Sequence, residues 1–269
     1  MRRWLTRLAV LVAPAAVVPL FALPASPAFA AAPVDYVALG DSYSSGVGAP
    51  PYDPASGSCL RSPRGYPQLW ATSHTVSSFQ FVACGGATTD DVLGSQVAAL
   101  NANTDLVSIT IGGNDVGFAS TLSSCVLGSD SACVNAVNAG RTAATTTLPA
   151  RLDNTYAAIR ARAPNARVVV LGYPRLISPT GSCGLFNLST VKRTALNEGA
   201  DVLAGVIAGR ASAAGFVHVD ARARFEGHGA CGSSPWINRF NLLSVTESFH
   251  PNATGYAQGY LPLLNGVTG

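Results

Sequence analysis

The stretch YVALGDSYSSGVG, residues 36–48, decides how the chain is read. Tyr36, Val37, Ala38 and Leu39 have the character of a buried strand, and Gly40-Asp41-Ser42 ends it with residues that turn the chain. Such an ending is either an ordinary capped turn, since Asp and Ser both cap helices well, or the presentation of a hydroxyl at the lip of a sheet. A serine hydroxyl is a poor nucleophile unaided. The second reading therefore needs a base within hydrogen-bond reach and donors for an oxyanion, supplied from elsewhere in the chain.

Working outward, five segments have the strand signature: 35–39, 78–83, 105–111, 167–171 and 216–219. Helix-length stretches lie around 66–73, 90–100, 133–163 and 190–214, with a last one around 253–264. This alternation implies an α/β fold with parallel strands and helical crossovers. VALGDS, FVACGGATT, SITIGGND and VVVLGYP all pass from apolar residues into Gly and then small or polar ones. Polar groups thus collect at the carboxyl edge of the sheet, where open parallel sheets place their sites. Residues 46–67, rich in Gly, Pro and Ser and holding Cys59, read as a long surface loop tethered by a disulfide.

Residues 1–30 stand apart. Arg2, Arg3 and Arg7 precede an apolar run broken by Pro14, Pro19 and Pro24, and Ala28-Phe29-Ala30 follows. That is the pattern of a secretory signal cleaved near Ala30-Ala31, and too short and interrupted for a comfortable membrane span. Residues 31–269 are expected to form a single extracellular domain. Three of the 17 basic residues and none of the 14 acidic ones fall in the signal, so the remainder carries 14 of each. With no basic cluster and no second long apolar segment, neither nucleic-acid binding nor stable membrane insertion is expected. Cys59, Cys84, Cys125, Cys133, Cys183 and Cys231 all lie in this remainder. With no C-x-x-C pair, and an even number in a chain expected to be exported, they suggest three disulfides rather than a metal site. Six cysteines allow 15 connectivities, and pairing of sequence neighbours (59 with 84, 125 with 133, 183 with 231) is the expectation.

Of the four histidines, His74 sits in a polar stretch, His218 alternates with valines in a strand, and His228 lies in a Gly-rich loop near Trp236. His250, in ESFHPNATGYA, precedes Pro251-Asn252 at a helix start, which would hold it firmly enough to act as a base. Gly86 in CGGATT offers a backbone N–H at one strand end, and Asn114 in IGGND a neutral amide donor at another. Each alone is as well explained by turn geometry or capping.

Taken together, GDSYSSG, GGA, GGND and FHPN occur in the order Ser, Gly, Asn, His between residues 40 and 252, and over residues 34–264 the chain resembles the GDSL, or SGNH, hydrolases. The resemblance is closest to the secreted three-disulfide lipases and esterases of actinomycetes. It implies a three-layer α/β/α sandwich on a flavodoxin-like five-stranded parallel sheet. It also implies Ser42 as nucleophile, His250 as base, and the Ser42 N–H, Gly86 N–H and Asn114 side chain as oxyanion donors, with no metal or cofactor. Many members place Asp three residues before the histidine. Here that position is Glu247, whose side chain is expected to orient His250, with the carbonyl of Glu247 or Ser248 as the alternative. Asp41 and Asp115 are assigned supporting roles. The implied activity is hydrolysis of lipid or simple carboxylic esters by a monomer. Polysaccharide deacetylation and a non-catalytic binding role are the rival readings. Trp70, Trp236, Phe118, Phe186 and Phe240 either shape an apolar groove or pack in the core.

Overall fold

The computed structural model describes residues 32–269 together with Ala9, and the expected signal segment otherwise lies outside the described residues. Strands β1 (Val34–Gly40), β2 (Val76–Phe81), β3 (Leu106–Thr110), β4 (Arg167–Leu171) and β5 (Val217–Val219) form one sheet in the order β2-β1-β3-β4-β5. All neighbouring pairs are parallel. The chain steps to one side of β1 and then to the other, so the crevice at the carboxyl ends of β1 and β3 is where such a sheet opens to a ligand. Strands β3 and β4 are buried almost throughout, as strands covered on both faces must be. Edge strand β2 is half-buried or exposed along its length.

One helical turn, α1 (Ser42–Ser45), follows β1 directly. Helices α2 (Tyr66–Ser73) and α8 (Leu261–Thr268) pack together on one face, where Trp70 meets Tyr36 of β1 edge-on at 5.0 Å. The other face carries α3 (Thr89–Gly94), α6 (Leu148–Arg162) and α7 (Thr190–Ala213). Helix α5 (Asp130–Thr146) lies against α7, and α4 (Phe118–Leu127) against α5. The result is a three-layer α/β/α sandwich on a flavodoxin-like sheet.

Two expected helices are divided. The stretch 90–100 breaks after α3 into a tight turn, Gln96–Ala99, and Gln96 sends its side chain to both the N–H and the carbonyl of Gly40, at 2.7 and 2.9 Å. The tract 133–163 divides at Thr147, because Pro149 has no N–H to continue α5 and instead occupies the first turn of α6. Helix α4 was not expected. Its sequence, FASTLSSCVL, has weak intrinsic helix preference, and packing on α5 together with the Cys125–Cys133 disulfide holds it. The other disulfides are Cys59–Cys84, which ties the loop after α1 to the turn bearing Gly86, and Cys183–Cys231.

Candidate active site

The floor of the site is the end of β1. Gly40 has φ 117°, and a Cβ there would stand 2.3 Å from the Thr110 carbonyl oxygen of β3, so only glycine lets the two strands lie this close at the turn. Asp41 then caps α1, its carboxylate accepting the Tyr43 N–H at 3.0 Å and the Thr110 hydroxyl at 2.8 Å, with the Tyr173 hydroxyl in a very short third contact. Burial pushes this carboxyl up to about 6, opposed by those three donors. Tyr173 also accepts the Gly113 N–H at 3.1 Å, so one phenol joins the turn after β1 to the turn after β3. Sequence reasoning gave Asp41 a supporting role and missed Tyr173, which carries no local signal beyond GYP at a strand end.

The wall is the irregular segment 238–252. His250 is buried, its Nε2 2.7 Å from Ser42 Oγ and its Nδ1 3.0 Å from the Ser248 carbonyl oxygen. A carbonyl can only accept, so Nδ1 carries the proton and Nε2 receives the serine hydroxyl. Burial drives the imidazole down to about 4, with the Ser248 carbonyl pulling the other way. The geometry depends on Phe249, whose φ of 60° is a rare conformation for a bulky residue and folds Ser248 and His250 toward each other. Three bonds hold it: its N–H to the Asn238 carbonyl at 2.9 Å, its carbonyl from the Tyr43 hydroxyl at 2.7 Å, and the Asn238 N–H to the His250 carbonyl at 2.9 Å.

The expectation for the Glu247 side chain is corrected here. Its carboxylate accepts the Tyr52 hydroxyl at 2.8 Å, and Tyr52 in turn accepts the Gly48 N–H at 3.0 Å. The backbone turn that brings Ser248 C=O onto His250 leaves the Glu247 side chain directed to the 48–52 loop, and the backbone carbonyl, the alternative weighed from sequence, takes the histidine.

Gly86 and Asn114 stand at the ends of the neighbouring strands and line the same groove as Ser42 and His250. Gly86 has φ 81°, and a Cβ there would meet nothing within 4 Å, so the residue faces open space. Among the described residues no protein acceptor takes the Gly86 N–H or the Ser42 N–H, the latter belonging to the first turn of α1. Asn114 donates one amide N–H to the Ala87 carbonyl at 2.9 Å and keeps a second donor. Asp115 is turned away, accepting the Thr89 N–H and hydroxyl at the start of α3. The groove, about 530 Å³, is walled by Phe118, Leu122, Val126, Phe240 and Leu242, so two of the five aromatic candidates line it. Trp70 packs in the core, Trp236 stacks on His228, and Phe186 supports Phe240. His74 stacks on Trp70 and His218 lies in β5, so neither contributes. Among the described residues no group of three or more His, Cys, Asp or Glu side chains converges to hold a metal.

The family model for GDSL-like lipases and acylhydrolases matches residues 38–258. The chain belongs to this family. It is 53% identical to a lipase of Streptomyces rimosus over 87% of each chain, and 51% identical to lipase 1 of Streptomyces coelicolor over 86% of each. Its structure matches the crystal structure of the extracellular lipase of S. rimosus with a TM-score of 0.84 at 52% identity, covering 87% of this chain and all of that one. It matches phospholipase A1 of Streptomyces albidoflavus with the same TM-score at 48% identity, over 87% and 99% of the two chains. As a member of this family with such relatives, the protein is a carboxylic ester hydrolase of the lipase/esterase kind.

Proposed function

We propose that the protein is a secreted lipase that cleaves acyl esters of glycerides or glycerophospholipids through an acyl-enzyme on Ser42. The observation that carries this reading is the chain of contacts from the Ser248 carbonyl through His250 to Ser42 Oγ, at 3.0 and 2.7 Å, at the bottom of an apolar groove. Ser42 Oγ attacks the ester carbonyl while His250 Nε2 takes its proton, and the imidazolium is steadied by the Ser248 carbonyl at Nδ1–H. The Ser42 N–H, the Gly86 N–H and the free amide N–H of Asn114 hold the oxyanion. As the tetrahedral adduct collapses, His250 returns the proton to the leaving alkoxide. Water then attacks the acyl group with His250 as base, the acid leaves and the Ser42 hydroxyl is restored. The depressed pKa keeps His250 neutral, hence competent as a base, over the whole neutral range.

Long acyl chains suit the groove's aliphatic and aromatic walls better than an acetyl group on a polysaccharide does. The S. albidoflavus relative is a phospholipase A1 and the S. rimosus relative an extracellular lipase, which supports the substrate class and export; in this reading residues 1–30 are removed as a signal and residues 31–269 act as one monomeric domain. Three disulfides suit an oxidising exterior. The test is hydrolysis of a chromogenic ester series from acetyl to palmitoyl. The expected result is activity that favours chains longer than acetyl and vanishes in Ser42→Ala, and strictly acetyl activity would overturn the lipid assignment.

A further inference from the structure

Among the described residues, the large apolar side chains left exposed are Leu127, Leu185, Val191, Leu242, Leu243 and Val245. They are not scattered. Leu127, Leu242 and Val245 line the groove over Ser42. Leu242 also borders the adjoining hollow, where Leu185 stands with Phe186 and Phe240. Leu243, 94% exposed, lies between Leu242 and Val245. Val191 precedes Lys192, whose ammonium donates to the carbonyl of Gly128, the residue after Leu127, at 2.7 Å. Two separate segments thus bring aliphatic residues to one groove and a third brings Leu185 to the hollow beside it, although isolated exposed leucines are ordinary on a protein surface.

The same segments lack charge. No Asp, Glu, Lys or Arg occurs in residues 116–129, 176–191 or 240–246. At their borders, Lys192 is buried on its carbonyl, Glu247 is bonded to Tyr52, Asp130 accepts the Ser189 hydroxyl, and Arg239 is exposed. Opposite signs therefore flank the face, and nothing in it selects an anionic surface over a neutral one.

We infer that this rim is a docking face for the surface of a lipid aggregate with zwitterionic or uncharged headgroups, seating Leu127, Leu185, Leu242, Leu243 and Val245 among the acyl chains so that an ester carbonyl passes down the groove to Ser42. This rests on the proposed lipid-ester reading. Ser42 lies 8% exposed at the bottom of the groove, so an ester in an aggregate reaches it only if the groove mouth meets the aggregate directly. Apolar contact without charge predicts adsorption that is indifferent to salt, in contrast to a polybasic surface.

The test uses Leu185→Ser with Leu243→Ser, two side chains outside the groove lining and 91% and 94% exposed. Co-sedimentation with phosphatidylcholine vesicles is measured in the Ser42→Ala background, and hydrolysis of the same vesicles and of a dissolved short-chain ester in the active enzyme. The expected result is a vesicle affinity lowered about tenfold or more, slower vesicle hydrolysis to match, unchanged turnover of the dissolved ester, and binding that persists in high salt. Equal vesicle binding by parent and variant, or binding that requires anionic lipid and disappears in salt, would overturn the inference. So would a concentration-dependent dimer abolished by the two substitutions, which would assign the face to a second copy. An enzyme that cleaves the dissolved ester but ignores vesicles sinks the docking face and leaves the ester chemistry. A protein that adsorbs but cleaves no ester sinks the proposed function and leaves the docking face.

Discussion

The floor and the wall of the site are built in opposite ways. The floor, where β1 and β3 end, is regular: sheet register sets Gly40 against Thr110, and a buried carboxylate with three donors locks the turn that carries Ser42. The wall, residues 238–252, has little regular structure, and it positions His250 through backbone carbonyls and one left-handed phenylalanine. An acid therefore sits where it shapes the turn that carries Ser42, and a neutral carbonyl sits where a triad's acid would face His250. The difference teaches that a carboxylate three residues from a histidine in sequence need not be its partner in space.

Four measurements would break or sharpen this contrast. The largest effect falls on the floor. Ser42→Ala should lower kcat by about 10⁴ to 10⁶ with the fold intact, and residual turnover above that range would mean another nucleophile. Next, Asn114→Ala should lower kcat by about 10² to 10³ with little change in KM; an effect confined to KM would make Asn114 a binding group rather than an oxyanion donor.

The two buried titrating groups give a third, because their contributions to stability have opposite signs. Asp41, raised to about 6 in the folded protein from an ordinary value of 3.8, adds stability that is fully present below about 4 and lost as pH rises through 6. His250, lowered to about 4 from 6.5, adds stability that is present above 6.5 and lost as pH falls through 4. Asp41→Asn should remove the first contribution, so that its Tm gains on the parent's between pH 4 and 6. A constant difference across that window would mean that the carboxylate is ionised in the fold throughout. Activity of the parent should hold down to about pH 4 to 5, because the free base persists there.

The smallest effect tests the wall. Glu247→Gln should change kcat by less than about tenfold and leave the acid limb of the pH profile where it is, whereas loss of a true triad acid costs about 10⁴. A loss of that size would restore the carboxylate to the histidine and erase the contrast between the two regions.

Much of the floor was legible in the sequence. Strand endings in small residues follow from packing that any parallel sheet imposes, and so Gly40, Ser42, Gly86 and Asn114 stand out in their motifs. The convergence of Ser42, Gly86 and Asn114 on one groove, however, required the 2-1-3-4-5 order of the strands. Strand 167–171 matches the expected bounds, while 78–83 is shifted to Val76–Phe81 because the edge strand pairs through the irregularity at Val34/Asp35. Helix α4 escaped notice because its propensity is weak and its stability comes from neighbours.

By itself the sequence determined what depends on local chemistry and period: alternating strands and helices, the glycine that ends the first strand, a serine, a histidine, a glycine and an asparagine in family order, and cysteines even in number. Only the tertiary structure decided which group holds the histidine, which phenol braces the two strand ends, and that scattered leucines share one face. Those are long-range meetings between residues as distant as Asp41 and Tyr173, or Tyr43 and Phe249. A backbone carbonyl is the same in every residue, so its role is set by φ and ψ and by what lies opposite, and no side-chain pattern announces it.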